Sequence, residues 1–113
     1  MHELSIAMNI IEIAAEEQNK AGAGIIHSVE LEVGMLSGVV IDALEFALEV
    51  SVKGTVLERA KIDIHPIEAE ACCNQCGHVF GVGDLFTHCP RCQSYDTRLV
   101  RGHELRFRSL TME

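Results

Sequence analysis

The chain has 113 residues, 48% of them hydrophobic, and a formal net charge of −8. That is length for one compact domain, or one domain carrying a small insert, and its longest apolar runs fall far short of a membrane span. The acidic balance argues against nucleic acid as a partner, because a phosphate-binding surface needs a basic field.

The opening residues are Met1-His2-Glu3. Acidic Glu3 stands where a secretory leader would carry a basic segment, so a cytoplasmic location is expected. The same residues have a metal-binding chemistry. The Met1 amine, a deprotonated backbone amide and the His2 imidazole can reach one ion from a single short segment, and nitrogen donors in a plane suit Ni(II) or Cu(II). Glu3 can offer its amide to that ion, or its carboxylate to the start of the following helix. The bulk of His2 predicts that Met1 is retained. A solvated terminal histidine is the plainer alternative and stays open at this point.

Residues 4–18 have a helical period. Leu4, Met8, Ile11 and Ala15 form the expected inner stripe, widened by Ile6, Ile10 and Ile13, and Gly22 and Gly24 stop the helix. Residues 26–33 alternate, with Val29, Leu31 and Val33 on one face, which predicts a half-buried strand. After a turn over 34–38, a second helix is expected from Ile41 to Val52. Its inner stripe is Leu44, Ala47, Leu48 and Ser51, extended by Phe46 and Val50, and Lys53-Gly54 closes it. Residues 61–67 alternate again, with Ile62 and Ile64 together and Pro66 marking an end or an edge.

Next come Cys73-Asn74-Gln75-Cys76 and Cys89-Pro90-Arg91-Cys92. Zinc takes four thiolate or imidazole ligands in a tetrahedron, and each C-x2-C places two thiolates on one tight turn. Gly77 permits a turn that a Cβ opposes, and Pro90 pre-sets φ. Four protein ligands leave no open position, so a zinc ion here would be structural and would supply folding energy to a segment with little core of its own. The apolar residues of that segment are Val79, Phe80, Val82, Leu85, Phe86 and Leu99. A thioredoxin-like motif would use one pair at a helix start, and disulfides are rare in a cytosolic setting. The fifth cysteine, Cys72, is the spare, although it could replace Cys73 in a shifted register. His78 and His88 flank the knuckles and are read as loop residues or spare ligands.

Glu104 to Thr111 alternates once more. The fold expected from this order is α+β: a small three-stranded sheet with two helices on one face, plus an inserted zinc ribbon. Residues 1–68 and 100–113 form the first lobe and 69–99 the ribbon. The late arginines, Arg91, Arg98, Arg101, Arg106 and Arg108, are read as strand-face residues, with a local basic patch as the rival. No Ser–His–Asp set, phosphate loop or open zinc site points to an enzyme, so no catalytic residue is assigned. A homodimer through swapped helices or the sheet edge stays open.

Met-His-Glu followed by Leu-Ser and an apolar helix, the V-E-L-E-V-G strand, the A-L-E-F-A-L helix ending at Lys53-Gly54-Thr55, and C-x2-C-G with C-P-x-C together resemble the HypA/HybF family of hydrogenase nickel-incorporation proteins. The resemblance covers essentially the whole chain in the same order. It implies a metallochaperone that carries Ni(II) as transient cargo on His2, with Glu3 in the same motif, and structural Zn(II) on Cys73, Cys76, Cys89 and Cys92. It also implies a HypB-type GTPase partner, the [NiFe] hydrogenase large subunit as recipient, and a link to urease maturation in some members. Such a division has a physical logic. Soft thiolates would hold nickel too firmly to release it, whereas a nitrogen-rich terminal site can bind by geometry and still hand the ion over.

Overall fold

Two helices and six strands follow one another in the computed structural model, which describes residues 2–22, 24–84 and 87–113. The order is α1 (Glu3–Lys20), β1 (Ile26–Gly34), α2 (Ile41–Ser51), β2 (Lys61–Ile67), β3 (Glu70–Cys73), β4 (Val79–Gly81), β5 (Thr97–Arg101) and β6 (Leu105–Met112). The strands form two three-stranded sheets, ordered β2-β1-β6 and β4-β3-β5. In the first, β1 pairs in parallel with β2 and antiparallel with β6. The second sheet is all antiparallel. The α+β architecture read from the sequence is the one observed.

Alternation along β1 decides the first core. Val29, Leu31 and Val33 are buried beneath the helices, together with Ile6, Ala7, Ile10 and Ala14 of α1 and Leu44 and Leu48 of α2. The inner stripes expected on the helices need correction. Leu4 is 55% exposed and Met8 61%, and on α2 Phe46 is 65% exposed and Val50 55%. In α1 the small residues Ala7 and Ala14, both fully buried, allow the close approach that sets the contact face. The helix is apolar on several sides, so periodicity alone does not say which side meets the sheet.

The opposite face of this sheet is polar and solvated. Glu30 accepts from Ser109 Oγ at 2.9 Å and pairs with His65 at 3.0 Å, and Glu32 pairs with Arg106 at 3.2 Å and Arg108 at 4.0 Å. Arg101 pairs with Glu70 at 3.1 Å, and Arg98 donates to Asn74. Four of the five late arginines thus have partners on their own surface, and the strand-face reading holds for them.

The chain leaves the first sheet after Ile67 and returns to it at Leu105, so the second sheet is inserted before the last strand. At the crossing, Gly34 N–H donates to the Glu104 carbonyl at 2.7 Å, Met35 N–H to Ile67 at 2.9 Å and Leu36 N–H to Gly102 at 2.8 Å. Two glycines make this approach feasible. A Cβ on Gly34 would overlap the Gly102 carbonyl, and one on Gly102, whose φ is +103°, would overlap Ala69.

Candidate functional site

Strand β3 delivers Cys73 to a tight turn. Cys73 N–H donates to the His78 carbonyl at 2.9 Å, and Gly77 N–H donates back to the Cys73 carbonyl at 2.9 Å. The second cysteine pair repeats the pattern: Cys89 N–H donates to Ser94 at 2.9 Å and Gln93 N–H to Cys89 at 2.8 Å. The amides inside the two turns, Gln75 and Arg91, each donate to the first sulfur of their pair at 3.4 Å. Both turns then close through a left-handed residue, Gly77 at φ +77° and Gln93 at φ +61°. Two copies of one local structure therefore face each other.

Their sulfurs converge. The ligand atoms of Cys73, Cys76, Cys89 and Cys92 all lie within 4.8 Å of one another. Cys73 and Cys92 Sγ are 3.5 Å apart, and Cys76 and Cys89 Sγ 3.7 Å. A tetrahedron with metal–sulfur bonds of about 2.3 Å has edges of about 3.8 Å, so the donor set fits a zinc-sized ion. A disulfide would need about 2.05 Å. Charge points the same way. The Cys76 backbone amide, with the Gln75 amide and neighbouring thiols, outweighs burial and lowers Cys73 to about 7. The Ser94 amide lowers Cys92 as well, but Cys73, burial, Cys76 and Cys89 together prevail and push it up to about 12. Four thiolates this close repel one another, and a divalent cation removes that penalty.

The neighbours sort themselves by strand geometry. Successive residues of a strand point to opposite faces, so Cys73 enters the cluster while Cys72 Sγ turns to the Gly77 and Cys73 carbonyls, each 3.7 Å away. His78 stacks on Phe80 and His88 packs against Tyr95. Asp96, unremarked in the sequence, clamps the first turn from the second. It accepts from Asn74 Nδ2 and Gln75 Nε2, each at 3.0 Å, and these two bonds lower its carboxyl below the ordinary range. Beneath the cluster, Phe80 and Val82 pack on Ala71, Cys73 and Cys89. Leu85 and Phe86, also expected here, lie outside the described residues.

At the other end, His2 is exposed and forms the N-cap of α1 without a capping side-chain bond. The first helical hydrogen bond runs from Ile6 N–H to the His2 carbonyl at 3.2 Å, so the amides of His2 and Glu3 precede the helical ladder. The Glu3 carboxylate accepts from Val40 N–H at 3.4 Å, the residue that caps α2. Met1 lies outside the described residues. Among the described residues, the four cysteines are the group of His, Cys, Asp or Glu side chains whose ligand atoms converge. Among the described residues, His2 and Glu3 are not part of such a group.

Comparison with known proteins covers the chain from end to end. The family model described as "Hydrogenase/urease nickel incorporation, metallochaperone, hypA" matches residues 1–112. The hydrogenase maturation factor HypA of Parabacteroides distasonis is 45% identical, with 100% of this chain and 98% of that one aligned. Its namesake in Geobacter sulfurreducens is 42% identical, with both chains fully covered. The solution structure of the Ni metallochaperone HypA from Helicobacter pylori superposes with a TM-score of 0.69 at 29% identity, over 99% of this chain and 97% of that one. A second solution structure of a HypA protein gives 0.75 at 30%, over 100% and 97%.

Proposed function

The chain belongs to the HypA family of nickel-incorporation metallochaperones, and from that premise we propose that it binds Ni(II) through the Met1-His2-Glu3 segment and delivers it for maturation of [NiFe] hydrogenase. The observation that carries this reading is the state of the N-terminal backbone. The His2 and Glu3 amides precede the first helical hydrogen bond, and His2 is exposed, so its imidazole and these amide nitrogens lie on one short segment outside the helical ladder. A planar nitrogen set suits Ni(II), as it does Cu(II), and the family's cargo selects nickel between them. Glu3 contributes through its amide, while its carboxylate holds the start of α1 to the start of α2.

In this reading Cys73, Cys76, Cys89 and Cys92 hold Zn(II) as a closed structural site. Their sulfur separations of 3.5 and 3.7 Å support it, and four thiolates leave no position for a catalytic water. The division of labour is then between a nickel lobe, residues 1–68 with 100–113, and a zinc ribbon, residues 69–99. The ribbon's zinc stabilises the inserted sheet, whose return strand leads directly into β6. Nickel passes between a HypB-type GTPase and the hydrogenase large subunit, with urease maturation as a further destination. The test is handover. Nickel-loaded parent protein should activate a nickel-free hydrogenase precursor with its GTPase, and His2→Ala should fail while still holding zinc. Equal activation by the two proteins would contradict the assignment.

A further inference from the structure

We propose that the groove between α2 and the outer edge of β2 receives an extended, basic segment of a partner protein, laid beside β2 as an added strand. In the order β2-β1-β6, β2 pairs with β1 alone, so among the described residues one side of its backbone has no strand neighbour. Exposed edges of this kind accept another strand by main-chain hydrogen bonding. Pro66 lacks an N–H and ends the usable edge, which leaves Lys61–His65.

Alongside that edge lies a groove of about 710 Å³. Its floor is apolar, with Val52, Ile62 and Ile64, and its rim carries Glu45, Glu49 and Glu58. Lys53 is the cation lining it, and neighbouring Lys61 is held by Asp63 at 3.7 Å. Among the described residues none of the three glutamates forms an ion pair or a side-chain hydrogen bond. Glu45 and Glu49 also stand four apart on one helix, where like charges repel. A lysine or arginine from an added strand satisfies both features, with its stem along Ile62 and Ile64 and its charged head among the carboxylates.

Charge also selects the occupant. A second copy presenting the same groove would bring acidic rim against acidic rim. At the other edge of the sheet, Arg106 and Arg108 share the single Glu32 carboxylate on the solvated face, away from the helices. No residue lining the groove belongs to the first turn of α1 or to the cysteine turns, so a bound segment leaves both metal-binding regions open.

The test uses the whole, zinc-loaded protein and a synthetic probe, an acetylated and amidated peptide alternating lysine with valine or isoleucine over seven residues. Backbone amide shifts should concentrate at Lys61–His65 and along α2. E45Q/E49Q should weaken binding about five- to tenfold, as expected for the loss of two exposed ion pairs. E12Q/E16Q, an equal change of charge on α1, should change it by less than about twofold. A probe with a central proline should bind much more weakly, because it cannot complete the strand. Absence of binding, equal loss in the two double variants, shifts centred on β6, or indifference to the proline would each overturn the proposal.

Discussion

Gly77 and Gln93 hold equivalent places after the two cysteine pairs, yet one is glycine and the other is not. Both are left-handed, at φ +77° and +61°. A Cβ on Gly77 would meet no atom within 4 Å, so Gly77→Ala should carry a conformational cost and no steric one. The left-handed backbone costs an L-residue about 1–2 kcal/mol, and the stiffer unfolded chain returns about 0.4–1 kcal/mol. The net destabilisation is about 1 kcal/mol. Because ordering of the ribbon is linked to metal, this should appear as about fivefold weaker zinc binding. Gln93→Gly reverses each contribution and should bind zinc as well as the parent or up to about fivefold more tightly. Competition with a chromophoric chelator at fixed pH measures both. Unchanged affinity in Gly77→Ala, or a clear loss in Gln93→Gly, would refute the equivalence of the two turns. A loss in Gly77→Ala of a hundredfold or more would show a steric contact where the structure has open space.

Cys73→Ser should abolish zinc binding and the exchange protection of β3, whereas Cys72→Ser should retain one zinc per chain by elemental analysis. At the crossing between the sheets, Gly34→Ala and Gly102→Ala should each lower the melting temperature by about 10 °C, from an overpacking cost of about 1–3 kcal/mol plus, at Gly102, its left-handed backbone. Acid should loosen the cysteine turns through Asp96. Its carboxyl is depressed by Asn74 and Gln75, so its contribution is present above the ordinary value near 3.8 and is lost as pH falls through the lower folded value. Asp96→Ala should therefore remove a stabilisation seen at neutral pH and flatten the acid limb of the melting curve.

The plan of the first sheet was readable because its three strands alternate in sequence, whereas β3, β4 and β5 are too short to show a period. Val29, Leu31 and Val33 fix which face of β1 is buried, and the 73/76 and 89/92 spacing singles out four of the five cysteines. Orientation was less readable. Leu4 and Met8 make as good a helical stripe as Ile6 and Ile10, and the decision rests with Ala7 and Ala14, small enough to seat the helix on the sheet. Phe46 and Val50 misled in the same way on α2. The ambiguity between Cys72 and Cys73 was resolved by strand alternation, a local rule that applies once β3 is placed. Gln93 gave no signal, since its side chain does not announce a positive φ. The meeting of Gly34, Ala69 and Gly102 and the bond from Val40 to Glu3 join segments tens of residues apart, and no local pattern encodes them.

The proposed function puts nickel on the N-terminal segment and zinc on the cysteine turns, with His2 essential to the first. The direct measurement is metal content and Ni(II) titration of untagged parent protein beside His2→Ala. One zinc per chain is expected in both, with nickel bound by the parent and lost in the variant. Equal nickel binding by the two, with zinc still present, would contradict it.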